Sequence, residues 1–487
     1  MGPFSRREFL ERSALLSAAV AAGTPAVRAA ADPEPTRKGS ANDRLRVAVV
    51  GVRGRGMSHV DGFNGRNNCE IVTVCDCDEA VIGPAMQKIS KTGHAPRFEK
   101  DIRRVIEDKT IDVVSIATPN HWHALAAVWA LRAGKDVYVE KPVSHNVREG
   151  RLIVEAARKH GKICQTGTQS RSMSGMREAI AYVHSGKIGK VDLAYGTCYK
   201  RRKSIGKVDG EQPIPKTLDY DLWCGPAPKL ALHRKNLHYD WHWTWAYGNG
   251  DLGNQGIHEM DKARWGLGKG ELPASVVSVG GRFGYDDDGE TANTQLCLFG
   301  YGDGSHLIFE VRGLETKPYK GAMVGNIFFG SEGYVVCPSY SSGVAFDRNG
   351  QKVAEFKTPK GGDNPHFDNF VKAVRARDHK VLNADILEGH LSSAMCHLGN
   401  ISYRLGAETT FDKDLPGLAG CKEAEEALAR MKQHLEENKV DLARAKGRAG
   451  AKLTLDPKAE RFTAGPSAAN DMLFAEYRKG FDISEGA

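Results

Sequence analysis

Glu140-Lys141-Pro142 places an acid, a base and a proline where an apolar run, KDVYV (135–139), comes to an end. A surface ion pair is the plain account of two such charges. A lysine held out of water, however, loses part of its preference for charge and can move protons near neutral pH. The proline beside it fixes the loop, through a cis bond if one forms, and so aims the amine. Upstream, Gly51-Val52-Arg53-Gly54-Arg55-Gly56 follows the short apolar run LRVAVV (45–50). Glycines there tighten a strand-to-helix turn and let the backbone approach a pyrophosphate lodged at the helix N-terminus. Arg53 stands where G-x-G-x-x-G has its second glycine, so the neighbouring Gly54 is expected to take over the close approach. Asp76 comes twenty residues after Gly56, at the end of CEIVTVCD (69–76). A carboxylate in that position accepts both ribose hydroxyls and repels a 2′-phosphate, which favours NAD over NADP.

These residues need elements to carry them. LRVAVVG, CEIVTVCD, IDVVSIATP (111–119) and KDVYVEKP are near-continuous apolar runs, and helix-like stretches such as HWHALAAVWALRAG (121–134) lie between them. A further helix, REGRLIVEAARKHG (148–161), and strand, KICQTGTQ (162–169), complete an α/β, doubly wound parallel sheet. In such a sheet the loops at the carboxyl ends of the strands line one crevice. Thr118, Pro119, Asn120 and His123 therefore join Glu140 and Lys141 as expected cofactor contacts, although a histidine there can equally be a helix cap. Beyond about residue 190, strand-like segments follow one another with Gly and Asp turns, VDLAYGTCYK, ASVVSVGGRF and ETANTQLCLF among them. That texture is a mainly antiparallel sheet, with one embedded helix near 252–267. Helices follow near 367–377 and 385–405, and the spacing of Leu428, Met431, Leu435 and Leu442 predicts a surface helix.

The chain has 487 residues, 41% hydrophobic and 26% charged, enough for more than one core. Its +8 charge is a small excess of 68 bases over 60 acids, without aromatics interleaved, so a nucleic-acid role has little support. No apolar run reaches the roughly 18 residues of a membrane span. Arg6-Arg7 with Phe9-Leu10, a mild apolar stretch and small residues at Ala29–Ala31 resemble a twin-arginine export signal over 1–31. A polar linker follows over 32–43. The ten cysteines lack metal-ligand or CxxC spacing and read as buried free thiols.

Glu140-Lys141-Pro142 and Thr118-Pro119-Asn120 together resemble the Gfo/Idh/MocA oxidoreductases, over residues 45 to about 410. The resemblance implies a Rossmann domain (44–168) and an α/β domain with a large open sheet (169–410). It also implies that the sheet meets another subunit, giving a homodimer or homotetramer. Residues 411–487 read as a helical and irregular tail. The resemblance further implies that Lys141 acts on substrate beside the nicotinamide. It puts Asn254 and His258 where the family has Asp-x-x-x-His. Their i, i+4 spacing shares a helix face, His258 exchanges a proton with a hydroxyl, and Asn254 positions without ionising. Arg171 and Trp243 are expected at the substrate, the latter from HYDWHWTWAYGNG (238–250), an aromatic wall suited to a sugar. His238, Asp240 and His242 offer a metal set that the resemblance does not call for, so no metal is expected.

The reading is hydride transfer between NAD and a sugar or cyclic polyol, with Lys141 and His258 catalytic. Export carries folded proteins, so the cofactor is expected to be loaded first and kept. That leaves a redox-neutral alternative, an NAD-dependent glycosidase working by transient oxidation, elimination and re-reduction. A sugar-binding protein without catalysis is the other.

Overall fold

The computed structural model describes residues 43–359 and 362–483. The Arg6-Arg7 signal lies outside the described residues, as does the linker up to residue 42. From Arg44 the chain forms one unit.

Six strands make the first sheet, in the order β3-β2-β1-β4-β5-β6 and all parallel. They are β1 (Leu45–Val50), β2 (Cys69–Cys75), β3 (Arg97–Glu99), β4 (Val113–Ile116), β5 (Asp136–Val139) and β6 (Cys164–Thr166). The strands are apolar on both sides because both faces are covered. Along β1, Val47 and Val49 enter a core with Phe63, while Ala48 and Val50 enter the opposite core with Leu125 and Val139. The covering helices are α1 (Arg55–Phe63), α2 (Gly83–Ser90), α3 (Ile102–Glu107), α4 (Asn120–Arg132) and α5 (Val147–Lys159). The strand order reverses between β1 and β4, which opens a crevice at their carboxyl ends.

After α6 (Ser174–His184), strand β7 (Val191–Cys198) begins a twelve-stranded sheet, antiparallel except where β7 runs beside the strand His306–Arg312. Between β7 and the next strand comes a long strap, residues 199–249, holding the short helix α7 (Tyr220–Cys224) and its own core of Leu218, Tyr220, Trp223, Trp241 and Tyr247. Helices α8 (Gly250–Asn254) and α9 (Gly256–Gly266) follow. Helix α9 lies on the sheet so closely that a Cβ on Gly266 would sit 2.2 Å from the Phe328 ring.

The sequence-derived boundaries differ from the structure in two places. Helix α10 (Asn364–Ala376) returns to the first sheet: Phe367 stacks on Tyr138 with ring centroids 4.8 Å apart, and Phe370, Val371 and Val374 share that core. Their spacing makes one apolar face, and Gly62 leaves room for the Phe367 ring. Helix α11 (Ile386–Arg404) then spans both cores. The tail is part of the second sheet's architecture. Residues Lys446–Ala449 and Leu453–Asp456 both pair with the strand Ser275–Gly281. Helix α12 (Lys422–Glu437) turns Ala424, Ala427, Met431 and Leu435 onto Leu296, Ile308 and Ile327. The face expected to be open to another subunit is thus covered, over its middle, by the chain's own helix.

Candidate active site

The crevice at the strand ends is a cleft of about 480 Å³. Its floor is the glycine turn. Gly51 adopts φ +80, and a Cβ there would lie 2.8 Å from the Ala117 backbone. A Cβ on Gly56 would lie 1.8 Å from the Gly51 carbonyl oxygen, so Gly56 closes the turn from behind and does not line the cleft. Gly54, at φ +67, faces open space, and Arg53 and Arg55 line the cleft beside it. Gly54 caps α1 without a side-chain hydrogen bond, so amide groups at the helix start are free to meet an anion. Asp76 is pinned by two backbone donors, Val52 N at 2.9 Å and Asp78 N at 3.1 Å, one to each oxygen. Burial raises its pKa, and these donors oppose the rise. Each oxygen keeps a lone pair for a ribose hydroxyl. The buried Thr118 hydroxyl has no partner among the described residues. Glycine turn, uncapped helix start, strand-end carboxylate and unpartnered hydroxyl all fit a dinucleotide.

Glu140 and Lys141 divide the work between them. Glu140 is 3% exposed and accepts from Arg55 Nε at 2.7 Å, His59 Nε2 at 3.2 Å, Gln169 Nε2 at 3.4 Å and Lys141 N at 3.2 Å. Burial alone would push its pKa up, but Arg55 and then His59 hold it well below the usual carboxylate range. Arg55 also donates to Asp363 Oδ2 at 2.6 Å. Glu140 therefore ties the glycine turn to the strand-end loop and to α10. Lys141 reaches across the cleft, where Nζ donates to the Asn254 carbonyl at 2.8 Å. Burial lowers its pKa, Glu140 opposes the fall, and Arg55 adds to it. The Lys141–Pro142 peptide is cis. His123 bridges the two neighbouring loops, with Nδ1 2.6 Å from Pro142 O and Nε2 2.7 Å from Thr118 O. Pro119 and Asn120 also line the cleft, and Asn120 Nδ2 donates to Asn249 Oδ1 at 3.0 Å.

His258 lines the same cleft, and its ring lies 4.6 Å from that of Tyr340. Burial, reinforced by the Lys141 charge, holds its pKa well below the ordinary imidazole value, so the ring rests neutral. Asn254 and His258 do not share one helix, because the helix breaks at Gln255. Asn254 nevertheless lines the cleft, and its carbonyl is what holds Lys141. Tyr340, on the connection between two strands of the large sheet, accepts from Gln255 Nε2 at 2.6 Å. Nothing in its sequence surroundings marked it.

Two expected substrate contacts fall elsewhere. Arg171 is 6% exposed and binds Asp261 at 2.8 Å and Glu388 at 2.9 Å, away from the cleft wall. A buried guanidinium needs carboxylates, and both of its partners lie far along the chain. Trp243 is buried beneath Arg202, 5.6 Å from ring to guanidinium. Residues Asp240–Trp243 form a 3₁₀ turn, so Tyr239, Trp241 and His242 face the cleft and Trp243 does not. His238 binds Asp78 at 2.8 Å, and Asp240 accepts from Asn236 N at 2.9 Å. Among the described residues no group of three metal-ligating side chains comes together.

A family profile described as "Oxidoreductase family, NAD-binding Rossmann fold" matches residues 45–168. A second, "Oxidoreductase family, C-terminal alpha/beta domain", matches 183–436. A glycosyl hydrolase family 109 protein of Saccharopolyspora erythraea is 31% identical over 209 residues, 40% of this chain and 45% of that protein. An inositol 2-dehydrogenase of Salmonella typhimurium is 30% identical over 180 residues, 37% of this chain and 52% of that protein. The chain thus spans about half the length of these curated relatives. Among solved structures, levoglucosan dehydrogenase in complex with NADH and levoglucosan superposes with a TM-score of 0.57 at 17% identity, covering 73% of this chain and 96% of that one. The WlbA dehydrogenase of Bordetella pertussis, in complex with NADH and UDP-GlcNAcA, gives a TM-score of 0.54 at 19% identity, covering 72% and 94%. At these identities the two structures speak to the fold.

Proposed function

From the premise that this chain belongs to the Gfo/Idh/MocA oxidoreductase family, we propose that it acts on the CH–OH group of a sugar or cyclic polyol with NAD held in the glycine-turn cleft. Bound there, the nicotinamide supplies the acceptor and donor of the carbon-bound hydrogen. The residues supply the rest. Lys141, half-buried and with its pKa lowered, withdraws or returns the hydroxyl proton. His258, neutral at rest, faces the same space and takes the part of second proton carrier, its ring placed against Tyr340. Tyr239 and Trp241 offer aromatic faces to the CH side of a sugar ring. The observation that carries this reading is the meeting of the Lys141 amine and His258 in one cleft with the glycine turn. The twin-arginine-like start of the sequence supports a place outside the cytoplasm.

The test is Lys141→Met, assayed against a panel of sugars and inositols by the NADH absorbance band. The expected loss in kcat is about 10²–10⁴-fold, with NAD affinity preserved. Full activity in the variant would remove Lys141 from the chemistry. A second reading, redox-neutral glycoside cleavage, is favoured by the 31% identity to a glycosyl hydrolase family 109 protein. It predicts release of a sugar leaving group with no net NADH. Stabilisation by sugar with neither signal would instead mark a binding protein.

A further inference from the structure

Three stretches that are distant in sequence meet over the end of the cleft where Asp76 stands. The strap is stapled to the residues that follow Asp76. Asp219 N donates to Cys77 O at 2.9 Å, Glu79 N donates to Thr217 O at 3.1 Å, and His238 contacts Asp78 at 2.8 Å. The strap also locks onto the start of α4. Trp122 Nε1 donates to Leu222 O at 2.9 Å, and Gly225, at φ +50, packs where a Cβ would lie 2.2 Å from the Trp122 indole. Residues 477–483 then close over both. Arg478 Nη2 donates to Asp221 Oδ1 at 2.7 Å, and Arg478 N donates to Pro226 O at 3.3 Å. Phe481 meets Trp122 edge-on at 5.7 Å and is buried, with Ile483, in the first sheet's core. Tyr477 donates to Glu149 Oε1 at 3.2 Å on α5.

We propose that residues 477–483 are a latch that holds the strap over the adenosine end of the cleft and slows exchange of the dinucleotide. This rests on the reading of the cleft as the NAD site. Leu222 and Trp223 of the strap line the cleft together with Asp76 and Ile102, so a ligand bound there leaves when the strap lifts. Lifting α7 requires breaking the Arg478–Asp221 contact and the Trp122 Nε1–Leu222 O hydrogen bond, whose indole Phe481 holds edge-on. The latch residues touch neither Lys141 nor His258. They therefore act on residence of the nucleotide and not on the proton transfers.

The experiment loads the full-length protein with NADH, chases with excess NAD, and follows the loss of bound-NADH fluorescence. In the double variant Arg478→Ala/Phe481→Ala, release is expected to be at least about tenfold faster than in the wild type. Asp221→Ala, altered on the exposed strap side of the same contact, should shift release in the same direction and guards against a misfolded double variant. Phe474→Ala, a 54% exposed residue of the same tail, should leave release unchanged. Equal release rates in wild type, the double variant and Asp221→Ala would overturn the latch while leaving the cleft assignment standing. Failure of the wild type to bind NADH at all would overturn both.

Discussion

Glu140→Gln removes one charge at the point where three elements are tied together, and the consequences can be worked through. Deleting one partner of a buried ion pair costs about 3–5 kcal/mol. Here the loss is smaller, because the Arg55 side chain is 33% exposed and keeps Asp363 at 2.6 Å, and glutamine retains one acceptor oxygen. About 2 kcal/mol is the expected cost. Unfolding entropy of about 2.1 cal/mol/K per residue, over a unit running from Arg44 to Ala487, converts this to a fall in Tm of about 2 °C. The larger signal is in binding. If the glycine turn must be re-formed when nucleotide enters, the same energy weakens the Kd for NAD by up to about thirtyfold. Glu140 also opposes the lowering of the Lys141 pKa, so its removal lets that pKa fall further. The rising limb of the pH–rate profile should move towards acid. Calorimetry, NADH fluorescence titration and a pH profile are the assays. An unchanged Tm and Kd would refute the view that Glu140 holds the turn, and an unmoved limb would refute its influence on the amine.

Two further outcomes follow from the same geometry. Asp76→Asn keeps the shape of the side chain but removes the charge that repels a 2′-phosphate, so the preference for NAD over NADP should narrow by about tenfold in paired titrations. Glu149, buried under Tyr477, has its pKa pushed up to about 7 by burial, from an ordinary 4.5. The folded state therefore binds the proton more tightly than the unfolded one. Its contribution to stability is complete below pH 4.5 and is lost as pH rises through about 7, a change of about 3 kcal/mol. Melting curves at pH 5 and pH 8 should show the slope, and Glu149→Gln should flatten it.

How much of this was visible in the sequence depended on distance along the chain. The parallel sheet was legible because apolar runs, glycines and strand-end polar residues are local signals. The glycine turn, Asp76 and the strand-end lysine all sit at β-strand ends that those runs define. Arg171 was misplaced because its carboxylate partners, Asp261 and Glu388, lie 90 and 217 residues away. Trp243 belongs to an aromatic run whose spacing leaves the backbone strand-like or irregular, and only the 3₁₀ turn decides which ring faces the cleft. Tyr340 sits on a strand connection that carries no motif. Glu140 is expected from the sequence as a cofactor contact, and its hub role depends on Arg55 and His59, 85 and 81 residues upstream.

The placement of α12 also bears on how the protein is made. Ile308 on the large sheet shares a core with Ala424 of α12, about 116 residues later. At about 5–20 residues per second, a ribosome needs roughly 6–23 s to make that stretch. Once Ile327 has been made, Leu296, Ile308 and Ile327 are expected to wait on the nascent chain without that cover. Chaperone demand should therefore peak late in synthesis, and any product terminated before residue 422 would be an aggregation hazard, whatever the state of its first sheet.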